Sequence, residues 1–112
     1  MLRTWCVFEG TLSMNKKIYS VNEIKSIVEP LAREYGVESL FLFGSYAKGN
    51  ADENSDVDFR IDKGDVRGIK FAGLFTDLEE VLGKNVDLVT TASLDEAFRQ
   101  RIAGEEILLY AR

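Results

Sequence analysis

Residues 37–43 form an apolar run rich in β-forming side chains, closed at both ends by glycine, and the chain leaves that run on Gly44-Ser45. Such a run reads as a buried strand. Ten residues separate Ser45 from Asp56, where a segment of a different kind begins. Over residues 56–61 the pattern alternates: Val57, Phe59 and Ile61 share one face, and Asp56, Asp58 and Arg60 share the other. That is a half-buried strand whose second face points into a site. Between the two strands, Tyr46-Ala47-Lys48 predicts a short helix and residues 50–55 a polar loop.

The remaining segments supply cover for this sheet. Ser20-Val21-Asn22-Glu23 has the form of a capping box, and Val21, Ile24, Ile27, Val28, Leu31 and Tyr35 continue as a helical stripe. Pro30 lies inside that stripe and predicts a kink, and Gly36 is a natural stop. Ile69, Ala72, Phe75, Leu78 and Leu82 mark a second amphipathic helix ending near Gly83. Val86-Asp87-Leu88-Val89 reads as a third strand with Asp87 on the face opposite Val86 and Leu88. Residues 95–103 suggest a third helix, and 106–110 a terminal helical turn or strand. The expected fold class is α/β (α+β), a small mixed sheet covered on one side by helices.

A chain of 112 residues holds one domain. The expected domain is 14–112, because Met14-Asn15-Lys16-Lys17 reads as a natural start and residues 1–13 as an extension without function. An edge strand over 4–8 is the other reading of that extension. A net charge of −5 argues against a broad nucleic-acid surface, which needs clustered Lys and Arg. No His occurs and Cys6 stands alone, so His general bases, His-containing zinc sites and thiolate cages are excluded. A metal must then sit on oxygen ligands, which favours magnesium or manganese. The lone cysteine fits a reducing, cytoplasmic setting. No apolar run approaches the roughly 20 residues that span a bilayer, so no membrane association is expected.

Asp56 and Asp58, two apart on a strand, lie about 6.5–7 Å from one another along it. Carboxylates so placed can bracket two divalent ions about 3.5–4 Å apart, the arrangement of two-metal in-line displacement. A third carboxylate from the neighbouring strand, about 4.8 Å away, would complete the set, and Asp87 is the candidate. Gly44 lets the backbone approach a phosphate, and the Ser45 hydroxyl can donate to a phosphate oxygen. An Asp-x-Asp pair alone is more often a solvated strand face, and a Gly-Ser turn alone more often a capped turn. It is the combination, with Asp87 added, that outweighs those readings.

Gly44-Ser45-x-Ala47-x-Gly49 followed by Ser55-Asp56-x-Asp58 resembles the signature of the DNA polymerase β-like nucleotidyltransferase superfamily, within it the minimal, MntA-type antitoxin branch. The resemblance runs from about Ser20 to the C-terminus. It implies that Gly44 and Ser45 bind the triphosphate of ATP, and that Asp56, Asp58 and Asp87 are catalytic and hold two Mg2+ ions. It also implies transfer of AMP to a tyrosine of a HEPN-domain toxin. The family often carries Arg where this chain has Lys48, which keeps the charge and loses the bidentate geometry. With no room for an acceptor-binding domain, the acceptor has to come on a partner or on a second copy of the chain. Two other readings compete: a non-catalytic nucleotide-binding or toxin-covering subunit of the same fold, and an enzyme acting on a small molecule.

Overall fold

The computed structural model describes residues 17–112, so the expected extension at 1–13 and the edge strand weighed for 4–8 lie outside the described residues. Helix α1 is Val21–Tyr35, followed by β1 Ser39–Phe43, the short α2 Ser45–Lys48, β2 Val57–Asp62 and α3 Ile69–Leu82. Then come β3 Val86–Thr90, a 3-10 turn Thr91–Ser93, α4 Glu96–Ala103 and β4 Ile107–Ala111. The sheet order is β3-β2-β1-β4, with β1 antiparallel to both β2 and β4 and with β2 parallel to β3. The parallel pair is possible because α3 carries the chain back across the sheet between its two strands.

Alternation along β2 sets the two faces. Val57, Phe59 and Ile61 are fully buried with Leu40 and Leu42 of β1, under Ile24 and Val28 of α1 and Leu74, Leu78 and Leu82 of α3. Phe41, Phe43, Asp58 and Arg60 lie on the other face, which α4 reaches: the Phe98 ring meets Phe43 edge-on at 5.9 Å. Helices therefore cover one face fully, and α4 crosses part of the second.

The helix ends follow from their caps. Ser20 accepts from the Glu23 amide while the Glu23 carboxylate accepts from the Ser20 amide, a complete capping box. Gly36, at φ 78°, ends α1, and the Val37 amide bonds back to the Ala32 carbonyl. That bond is why the first strand starts at Ser39 and not at residue 37. Pro30 does not interrupt α1, which runs through it; Ser26, whose carbonyl loses a helical donor, is exposed and can bond to water. The apolar stripe of α3 is also rotated from its expected line. Leu74, Leu78 and Leu82 face the core, whereas Ala72 is exposed and Ile69 is 86% exposed.

Candidate active site

Register brings the sequence motifs together. Phe43 pairs with Asp58 across the antiparallel strands, so the chain leaves β1 at Gly44 directly beside the Asp58 carboxylate. A Cβ placed on Gly44 would stand 2.2 Å from Asp58 Oδ2. Gly44 also has φ 78° and ψ −155°, a combination open essentially to glycine alone. Both the backbone turn and the carboxylate packed on it thus require glycine here.

Asp87 is the direct register partner of Asp58 on β3. Parallel strands place such partners about 4.8 Å apart with side chains on the same face. Asp56 belongs to no strand, contrary to the alternation that put it in β2. Pairing with β1 ends at Phe43–Asp58 because Gly44 turns away, and pairing with β3 begins at Val57–Val86. Asp56 is left at the mouth of the sheet, in the loop that leads into β2.

The three carboxylates interact. The Asp58 carboxyl is pushed up to about 6 from an ordinary 3.8, first by burial, then by the charge of Asp87, then by that of Asp56. Asp58 is half-buried, while Asp56 and Asp87 are exposed, so only one of the three is drawn into the protein.

Excess negative charge on hard oxygen donors fits a divalent magnesium-type ion held by Asp56, Asp58 and Asp87. Among the described residues no three His, Cys, Asp or Glu side chains are gathered closely enough to enclose an ion as they stand. The donor chemistry and charge fit.

Ser45 opens α2 beside Gly44 and is half-buried. Tyr46 points inward and is only 3% exposed, as part of the core, not of a nucleotide site. Lys48, on the outer side of α2, lies 3.7 Å from Glu105 Oε2.

Several contacts around the site carried no signal in the sequence. Arg60, two positions beyond Asp58 on the same face, is gripped by both oxygens of Glu106, donates to Thr91 Oγ1 and lies 4.1 Å over the Phe41 ring. The Glu106 hydrogen bonds raise the Arg60 pKa, holding the guanidinium charged. Lys84 is buried, and its Nζ donates to the Glu53 carbonyl, tying the loop ahead of Asp56 to the turn ahead of Asp87. A cleft of about 220 Å³ opens between Arg60 and the Glu96, Arg99, Gln100 and Ala103 side of α4. Alternation placed Arg60 beside the acids, but nothing local tells which distant carboxylate will meet a given cation.

With this geometry in place, comparison with known proteins is decisive. Residues 22–112 match the family described as Polymerase beta, Nucleotidyltransferase. The chain belongs to the polymerase β nucleotidyltransferase family. A protein adenylyltransferase MntA of Thermococcus cleftensis is 36% identical over 93 residues, covering 79% of this chain and 94% of its own length. A crystal structure of a toxin–antitoxin with AMP-PNP superposes with a TM-score of 0.68 at 26% identity, over 79% of this chain and 73% of that one. A mutant form of the MntA–HpeT toxin–antitoxin gives a TM-score of 0.60 at 27% identity, over 74% and 68% of the two chains. As a member of this family the chain is a nucleotidyltransferase, and the mixed sheet expected from its sequence is the family's minimal fold. Among the described residues no helix is long and apolar enough to cross a membrane.

Proposed function

We propose that this chain moves AMP from magnesium-bound ATP onto a hydroxyl of a partner protein, a tyrosine of a HEPN-domain toxin, and so acts as the antitoxin of a pair. One observation carries the reading: strand register sets Asp58 opposite Asp87 and against Gly44, so metal-type donors and a phosphate-type turn share one point. The names of the relatives support the acceptor class, since one is called a protein adenylyltransferase and the solved neighbours are toxin–antitoxin assemblies. The AMP-PNP in one of those neighbours, an ATP analogue, supports the nucleotide.

In this reading Gly44 and Ser45 receive the β- and γ-phosphates through backbone amide and hydroxyl. Asp56, Asp58 and Asp87 hold two magnesium ions, which would neutralise the phosphates and polarise the acceptor hydroxyl. Asp87, which is exposed, would take the hydroxyl proton as the oxygen attacks the α-phosphorus. The bond from that phosphorus to the bridging oxygen breaks, and pyrophosphate leaves. Positioning and charge neutralisation do most of the work. A site in the cytoplasm, where ATP and magnesium are abundant, suits this chemistry.

A subunit that merely covers a toxin has no use for Asp58 set in register with Asp87 and packed against a glycine-only turn at Gly44. The test is incubation with the partner toxin, Mg2+ and ATP, followed by intact-mass spectrometry. AMP should appear on a toxin tyrosine with the native chain. With Asp58→Asn the rate should fall at least about a hundredfold, since even outer-shell partners of a metal are worth 10–100-fold. Unmodified toxin that is nonetheless silenced would favour simple covering.

A further inference from the structure

Glu105 and Glu106 follow the end of α4, and their amides both bond to the Ile102 carbonyl. The two side chains then diverge. Glu106 is held on Arg60 by both of its oxygens, which anchors this point of the backbone to the floor of the sheet. Glu105 reaches the other way: Oε1 accepts from the Gly44 amide at 3.4 Å, and Oε2 lies 3.7 Å from Lys48 Nζ. Its carboxylate thus bridges the turn's amide and the one lysine of α2. Both contacts are long, and the Lys48 side chain is 52% exposed, so the carboxylate is seated loosely.

We infer that Glu105 is a resident competitor for the phosphate seat, a side chain that sets nucleotide affinity and yields when a polyphosphate arrives. The inference rests on the nucleotide-transfer reading and adds a residue to it. A carboxylate and a phosphate seek the same donors, the Gly44 amide and the Lys48 amine, and they repel one another if both are present. A polyphosphate carries several charges against one, so it wins the exchange; an uncharged nucleoside has nothing to win it with. Because Glu106 stays fixed on Arg60, the exchange needs only a rotation of the Glu105 side chain and not the departure of α4. Lys48 is then released to face the phosphates, which gives this lysine its role without the bidentate geometry of arginine. Glu105 therefore lowers the affinity for polyphosphate ligands and leaves that for uncharged nucleosides unchanged.

The test is calorimetric titration of the full chain in magnesium buffer with AMP-PNP and, separately, with adenosine. Glu105→Gln keeps the size and removes the charge; Glu105→Ala removes both. Both variants should bind AMP-PNP about two- to fivefold more tightly, the scale of an exposed ion pair converted to affinity, and adenosine should bind as it does to the native chain. A merely structural Glu105 would shift both ligands together. Should neither variant fold, the native chain decides by NMR: the Glu105 carboxyl carbon and the Gly44 amide should move together on adding AMP-PNP and stay still with adenosine. Equal or weaker AMP-PNP binding by the variants, or a stationary Glu105 carboxyl signal, overturns the inference while leaving the transfer reading intact. Absence of AMP-PNP binding by the native chain overturns both.

Discussion

One strand, β2, faces two different environments. On one side Val57, Phe59 and Ile61 are sealed under α1 and α3; on the other Asp58 and Arg60 face the sheet's second surface, one in the acid cluster and one clasped by Glu106. The sealed side is where stability is made. The other side gives some of it up, because the fold disfavours the ionised form of Asp58. Adjacent residues on the same six-residue strand thus obey opposite rules, and substitutions should separate the two.

The largest effect is expected on the sealed side. Phe59→Ala removes a fully buried ring and should lower unfolding free energy by about 3–5 kcal/mol, read by urea denaturation. A loss under about 1 kcal/mol would mean that this face is far looser than described. Gly44→Ala breaks the boundary between the two sides. It meets Asp58 Oδ2 and forces a glycine-only backbone, so we expect about 1–3 kcal/mol of strain together with loss of nucleotide binding, measured by denaturation and calorimetry. Binding that survives intact would show that the turn is not where phosphate sits.

Asp58→Asn sharpens the contrast, since it should stabilise. Without divalent cations, the folded chain keeps a proton on Asp58 up to about 6, whereas the unfolded chain loses it near 3.8. Between these values the folded state holds the extra proton, so stability falls as pH rises through that window and stays lower above it. Asn removes that slope and should gain about 1–2 kcal/mol at pH 7, the full shift being discounted for solvent screening of a half-exposed group. Thermal melts in EDTA across pH 4–7 check this; parallel curves for the two proteins would remove the argument for charge crowding. The smallest effect lies away from both faces. Ser20→Ala deletes the capping box and should cost about 1 kcal/mol in denaturation with no change in nucleotide affinity.

How much of this was readable depends on whether the signal is local. Ser20 with Glu23, Gly36 and Gly83 mark helix ends through contacts within a few residues, and their sequence pattern sufficed. The alternation in β2 likewise separated Phe59 from Asp58. Asp56 was misplaced because strand boundaries are set by pairing: where β1 turns away and β3 begins decides where β2 starts, and neither is visible in residues 56–61. Ile69 and Ala72 fall outside the buried stripe because periodicity alone does not show which of two adjoining stripes, the one through Ala72 or the one through Leu74, turns toward the core. Glu105 and Glu106 sit 61 and 46 residues from the groups they bind, and two consecutive glutamates after a helix look like solvent-facing charge.

The proposed transfer requires Asp58, Asp87 and Asp56 to act as one cation-gathering cluster beside Gly44. The most direct test is the thermal unfolding of the native chain and Asp58→Asn at pH 7, each with and without Mg2+ and AMP-PNP. Magnesium with the analogue should raise the midpoint of the native chain by several degrees and leave the variant nearly unmoved. An equal rise in both proteins would contradict the account.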